Sequence, residues 1–287
     1  MLFEPFQSVV SATFWTTLAK KKLDDYRLKS DLISLWGWYE IGNADLKQSP
    51  LLHLDERSFE EEPVEDGSMW MRGQMILLNT LDSFKQYDRK KLETGFLQSI
   101  KSKEQALEAF PGFVLVCYAD LKKHIFFYHF CFPIIHQPEL SFEIVQNDGP
   151  GITVFDPCSK EEAFGWPIRR LLSIHAFFGV SGLNLSIQRS DTTKHIGVKI
   201  NSSFKDSYIL GWEKNETGKV GPRVLDLSSL IDPEKLAEDA AELNLKLIKW
   251  RMLPELDLKV ISSCRVLLVG AGTLGCNVAR GLLVLSL

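Results

Sequence analysis

The 287-residue sequence predicts an α+β domain with a mixed or antiparallel sheet, followed by the start of a Rossmann-like α/β unit. Three observations carry that prediction. Residues 113–119 and 124–132 are dense in Val, Phe and Tyr and separated only by Asp120-Leu121-Lys122-Lys123, the spacing of an antiparallel hairpin. Stretches with apolar residues at steps of three to four flank this hairpin on both sides. Near the end, Arg265-Val266-Leu267-Leu268-Val269 runs straight into Gly270-Ala271-Gly272-Thr273-Leu274-Gly275, in the order strand, glycine turn, helix.

From Ser11, the residues Phe14, Trp15, Leu18, Leu23 and Tyr26 share one helical face, with Lys20, Lys21, Lys22, Asp24 and Asp25 opposite. Residues 32–39 are aromatic and β-rich, and the acidic run over 54–67 around Pro63 reads as a solvated loop. Leu81, Phe84, Leu92, Phe96, Leu97 and Ile100, then Ala106, Leu107 and Phe110, predict one broken or two consecutive helices over 80–110, ended by Pro111-Gly112. Asn147-Asp148-Gly149-Pro150-Gly151 is a breaker cluster, after which Ile152-Thr153-Val154-Phe155 predicts a short strand. Residues 167–178 suit a helix with proline in its first turn, and Ile196, Val198 and Ile200 alternate as on a half-buried strand. Asp232-Pro233-Glu234 combines an N-cap, a first-turn proline and an acid ahead of the stripe Leu236, Ala240, Leu243, Leu247 and Trp250, which predicts a helix ended by Pro254.

Hydrophobic residues at 45% and charged residues at 24% place the chain among soluble globular proteins rather than disordered ones. Net charge is −4 and no basic stripe interleaves with aromatics, so nucleic acid is not an expected partner. No apolar run approaches the length of a membrane span, and the amino terminus lacks the pattern of a signal peptide, so the expectation is a cytoplasmic protein with reduced thiols and unused sequons at Asn184, Asn201 and Asn215. Charge is +3 over 259–287 and −7 over 1–258, which marks the last residues as a different unit.

The glycine turn is the motif with chemical content. Its glycines permit a tight turn and a close backbone approach, and free N–H groups at the following helix start can meet the phosphates of a nucleotide, which makes Gly270, Gly272 and Gly275 the candidate contacts. A plain tight turn is the alternative, and the 12 residues after Gly275 do not reach the acidic position that separates ATP from NAD use. Cys158 and Cys276 are candidate nucleophiles, yet spacing pairs neither with a base, so packing is the expectation for both. His124 and His129, five apart, fall on opposite faces of a strand and do not form a metal pair. The glycine-punctuated segment 211–223 reads as a surface hairpin or a partner-binding loop.

Several stretches occur together in one order: Ala119-Asp120-Leu121-Lys122-Lys123, residues 128–133, Asp156-Pro157-Cys158 with Gly165-Trp166-Pro167, Gly211-Trp212-Glu213-Lys214-Asn215, Leu243-Asn244-Leu245-Lys246-Leu247 through Trp250-Arg251, and finally residues 270–280. In this order the sequence resembles the autophagy ubiquitin-like modifier-activating enzymes. The resemblance implies a recruiting domain for conjugating enzymes over 1–250, a linker over 251–260, and the first strand, loop and helix of an ATP-binding adenylation domain over 261–287. It further implies an ATP- and magnesium-dependent, homodimeric enzyme of the cytoplasm and the preautophagosomal structure, which adenylates ubiquitin-like modifiers and passes them by thioester to conjugating enzymes. Relative to that family the segment between about 133 and 156 is short, and the catalytic cysteine is expected beyond residue 287. Two readings stand beside this one: a dinucleotide-dependent oxidoreductase whose unit begins at Arg265, and a catalytically silent binding fragment.

Overall fold

A computed structural model describes residues 1–29, 31–43, 48–63, 67–100, 102, 110–146, 149, 151–189, 192–202, 207–231, 245, 246, 249, 251–255, 257–270 and 272–284. In chain order the strands are β1 (Leu2–Phe3), β2 (Gln7–Val10), β3 (Ile33–Glu40), β4 (Leu51–Leu54), β5 (Trp70–Leu78), β6 (Val114–Asp120), β7 (Ile125–His136), β8 (Ser141–Val145), β9 (Ile152–Phe155), β10 (Ala163–Phe164), β11 (Gly182–Arg189), β12 (Thr192–Asn201), β13 (Tyr208–Trp212) and β14 (Arg223–Asp226). The helices are α1 (Ala12–Lys21), α2 (Leu81–Lys85), α3 (Arg89–Ser99), α4 (Trp166–Phe177), α5 (Ser228–Ile231), α6 (Leu258–Ser263) and α7 (Thr273–Val284). Met1–Leu121 with Ile125–Leu225 form one compact unit, and Lys122–His124 with Asp226–Leu287 a second.

An eight-stranded mixed sheet, ordered β13-β7-β6-β5-β3-β4-β2 with β14 also on β7, is the base of the first unit. The hairpin expected at 113–132 is its centre: β6 and β7 pair antiparallel from Val114↔Cys131 to Asp120↔Ile125. Both faces are covered, which explains why this hairpin reads as nearly continuous apolar sequence rather than as alternation. On one face Trp15 of α1 packs against Phe126 and Tyr128, with ring centroids 5.1 and 5.0 Å apart. Phe84 of α2 and Leu92 and Phe96 of α3 pack on the other, over Val114, Val116 and Cys131. α1 starts where the sequence places it, at Ser11, whose Oγ accepts from the Phe14 N–H.

A second sheet of four strands, β8-β12-β11-β9, lies under α4. Ile168, Leu171, Leu172 and Ala176 of the helix meet Leu185, Ile187, Ile196, Val198 and Ile200 of the sheet. The opposite side of α4 faces the large sheet, where Ile174 packs on Ile135 and the Ile135 N–H donates to Ser173 Oγ at 3.3 Å. α4 is therefore buried on two sides. In the small sheet β8 and β9 run parallel and end to end: through β12 and β11, Val145 stands level with Asn184, while Ile152 pairs with Leu185. The chain thus crosses from one sheet edge to the other, three strand spacings or about 14 Å, without travelling back along the strands. This is how six residues replace the dozen or more that a parallel crossover ordinarily needs.

One expected element does not form. Arg265 to Val269 do not form a strand, because no neighbouring strand takes up their backbone groups, and Leu267 and Val269 are 88% and 89% exposed. Strands β2, β4, β5, β8 and β11 had no sequence counterpart. The helix expected over 232–250 lies largely outside the described residues, as do Asn147, Asp148 and Pro150 of the breaker cluster and 103–109 of the expected second helix. The opening helix, the helices in 80–100, the strands at 32–39, 152–155 and 196–200 and the helix at 167–178 all form.

Candidate functional site

The glycine turn stands at the start of α7. Gly270 has φ +106°, a conformation that side-chain-bearing residues avoid, and a Cβ on Gly275 would lie 2.2 Å from the Gly270 carbonyl oxygen. Gly272 opens the helix, its carbonyl accepting from the Cys276 N–H at 2.9 Å. A Cβ on Gly270 or Gly272 would meet nothing within 4 Å, so the turn is open on that side. Gly270 by its conformation and Gly275 by its close approach are required by the geometry of this turn. The arrangement suits a phosphate turn. A magnesium site needs carboxylates as well, and among the described residues no group of three or more His, Cys, Asp or Glu stands together.

Segment 211–223 is pinned rather than free. β13 is irregular between Leu210 and Trp212, where Gly211 at φ +126° lies against the Phe132 carbonyl, and Lys214 bridges Val220. Glu213 holds the segment to β2: Ser8 donates its N–H at 2.7 Å and its hydroxyl at 2.5 Å, and Arg223 pairs at 3.0 Å. Burial raises the Glu213 carboxyl above its ordinary range, against the pull of Ser8 and Arg223. Trp212 donates to Glu93 of α3 at 2.8 Å and lies under the Arg89 guanidinium. Beside it His129, stacked 5.0 Å from Phe84, is pushed down to about 4 by burial and by the charge of Arg89.

A second buried polar cluster joins the first strand to the 156–165 turn. Asp156 accepts from the N–H groups of Cys158 and Gly165 at 3.2 and 2.9 Å and from Arg189 at 2.6 Å. Burial still raises its carboxyl, opposed by Arg189. The Cys158 thiol donates to Glu4 at 2.9 Å, and Lys160 pairs with Glu4 at 2.8 Å. Burial and the Glu4 contact push that thiol up to about 12, the opposite of a nucleophile. Cys158 is packed, as expected, and Cys276 is exposed. His124, in the turn before β7 with φ +53°, and His129 do not meet on one face. Sequence reasoning missed Glu4, Arg189 and Arg223. Glu4 meets Cys158, 154 positions away, Arg189 meets Asp156, 33 away, and Arg223 reaches Ser8, 215 away, contacts that no local spacing reveals.

The two sheets, α4 and the pinned segments coincide with the region that matches known proteins. The family profile described as "Ubiquitin-like modifier-activating enzyme ATG7 N-terminus" matches residues 1–150 and 143–231. The chain belongs to the ATG7 family. Among curated relatives, the ATG7 of Candida albicans is 33% identical over 324 aligned residues, covering 96% of this chain and 50% of the relative. That of Homo sapiens is 32% identical over 367, covering 98% and 51%. The chain thus spans about half the length of these ATG7 relatives. Two solved structures share the fold: the Kluyveromyces marxianus Atg7 N-terminal domain, with TM-score 0.62, 20% identity, 80% of this chain and 99% of that one covered, and the same domain in complex with Atg10, with TM-score 0.61 and 20% identity. The α+β architecture with mixed sheets is that of the ATG7 N-terminal domain.

Proposed function

We propose that this chain acts as the docking part of a ubiquitin-like modifier-activating enzyme of autophagy, presenting its two-sheet platform to conjugating enzymes. The observation that carries the reading is the family match over 1–231, which falls on the platform itself. The structural neighbour described as a complex with Atg10 supports a conjugating enzyme as the partner. Membership of the ATG7 family sets the oxidoreductase reading aside.

In ATP-dependent activation, the nucleotide supplies the adenylate that makes a carboxyl group reactive. Gly270, Gly272 and Gly275 would lie along its phosphates, and α7 would direct its N-terminal N–H groups there. We assign these residues to the start of an adenylation domain, with boundaries at 250 and 261 and homodimerisation as a property of the longer enzyme. Docking is the assigned role because the family match falls on residues 1–231. A shortened segment near 133–156 fits alignments of 324 to 367 positions against a chain of 287, together with a family match that breaks into two pieces at 143–150. The place of action is the cytoplasm and the preautophagosomal structure; no described helix is long and apolar enough to cross a membrane.

Calorimetric titration of the folded chain with an Atg10-type conjugating enzyme tests the proposal. Binding at about 1 μM or tighter is the expected result. No heat of binding from folded protein would overturn it.

A further inference from the structure

We draw no further inference here: the strongest candidate, the cavity of about 570 Å³ at the first turn of α4 between β3, β5 and the 110–112 turn, carries nothing, because Arg170 Nε and Gln74 Oε1 of its lining residues are sealed from solvent and nothing in the structure shows what the cavity takes.

Discussion

Arg189 shows how much one side chain can hold. It neutralises Asp156 and also donates to the carbonyls of Lys160 and Ala163, so the 156–163 turn is fastened to the end of β11 through one guanidinium. Removing one partner of a buried pair leaves an uncompensated charge. Arg189→Met is therefore expected to lower stability by about 3–5 kcal/mol in urea denaturation, and the double variant with Asp156→Asn by less than the sum of the two single losses. His129 adds a pH dependence of known sign. Its folded value of about 4 lies below the ordinary imidazole value of 6.5, so the unfolded chain binds the extra proton. The contribution is full above about pH 6.5 and is lost as pH falls towards 4; discounted for its half-exposed ring it amounts to about 1–2 kcal/mol. Chemical denaturation across that range should show the loss in the wild type and not in His129→Phe, whose ring can keep the stacking on Phe84. Thiol chemistry should split the cysteines, with Cys264 and Cys276 reacting rapidly in the native state and Cys117, Cys131 and Cys158 only on unfolding. A third fast thiol would contradict the packing described for Cys158.

At the scale of elements, the sequence was readable where local chemistry decides structure. Ser11 starts α1 by its own hydroxyl, the proline of Trp166-Pro167 suits a first helical turn, and Ile196, Val198 and Ile200 alternate because one face of β12 is buried and the other is not. Legibility failed where a distant partner decides. Residues 70–78 carry Gly73 and polar Arg72 and Gln74, a poor strand by composition, yet β5 is central because β3 and β6 clasp it from both sides. Gly73 is there for space: a Cβ would lie 2.3 Å from the Phe113 ring. The converse error occurred at 265–269, apolar enough for a strand but without a sheet to join. At Gly211 the requirement is both conformational and steric, since a Cβ would fall 1.8 Å from the Phe132 carbonyl oxygen. Gly211→Ala should cost about 2–4 kcal/mol, measured as a lowered Tm, and should loosen the Glu213 pin more than it disturbs α4. In the candidate site the glycines were legible because the motif is local, while the partners of Glu213 and Glu4 were not.

At the scale of the molecule, the two units differ in what they bury. The first closes three layers around β5, β6 and β7, whereas in the second Leu267, Val269 and Leu274 are exposed and α5 and α6 are 4 and 6 residues long. Short helices without a packed face are marginal in water. Hydrogen exchange should therefore be slowest along Val114 to Phe132 and fast across 258–284; slow exchange in the latter would show a packing that the described residues lack. The proposed docking would follow the same division, since a rigid platform loses little conformational entropy when a partner binds.

The crossing between β8 and β9 carries a consequence for how this fold can vary. Val145 and Ile152 end at opposite edges of the small sheet on adjacent levels, and Gly151 closes the crossing by donating to Ser186 Oγ on the face away from α4. Neither strand depends on the connecting residues for its register, because β8 is held by β12 and β9 by β11. The site is thus a natural point of length variation in evolution: a segment inserted there leaves every ladder in place. Tripling its six residues should raise the loop-closure cost by only about 1 kcal/mol. A longer or shorter connection here should therefore leave both ladders in register.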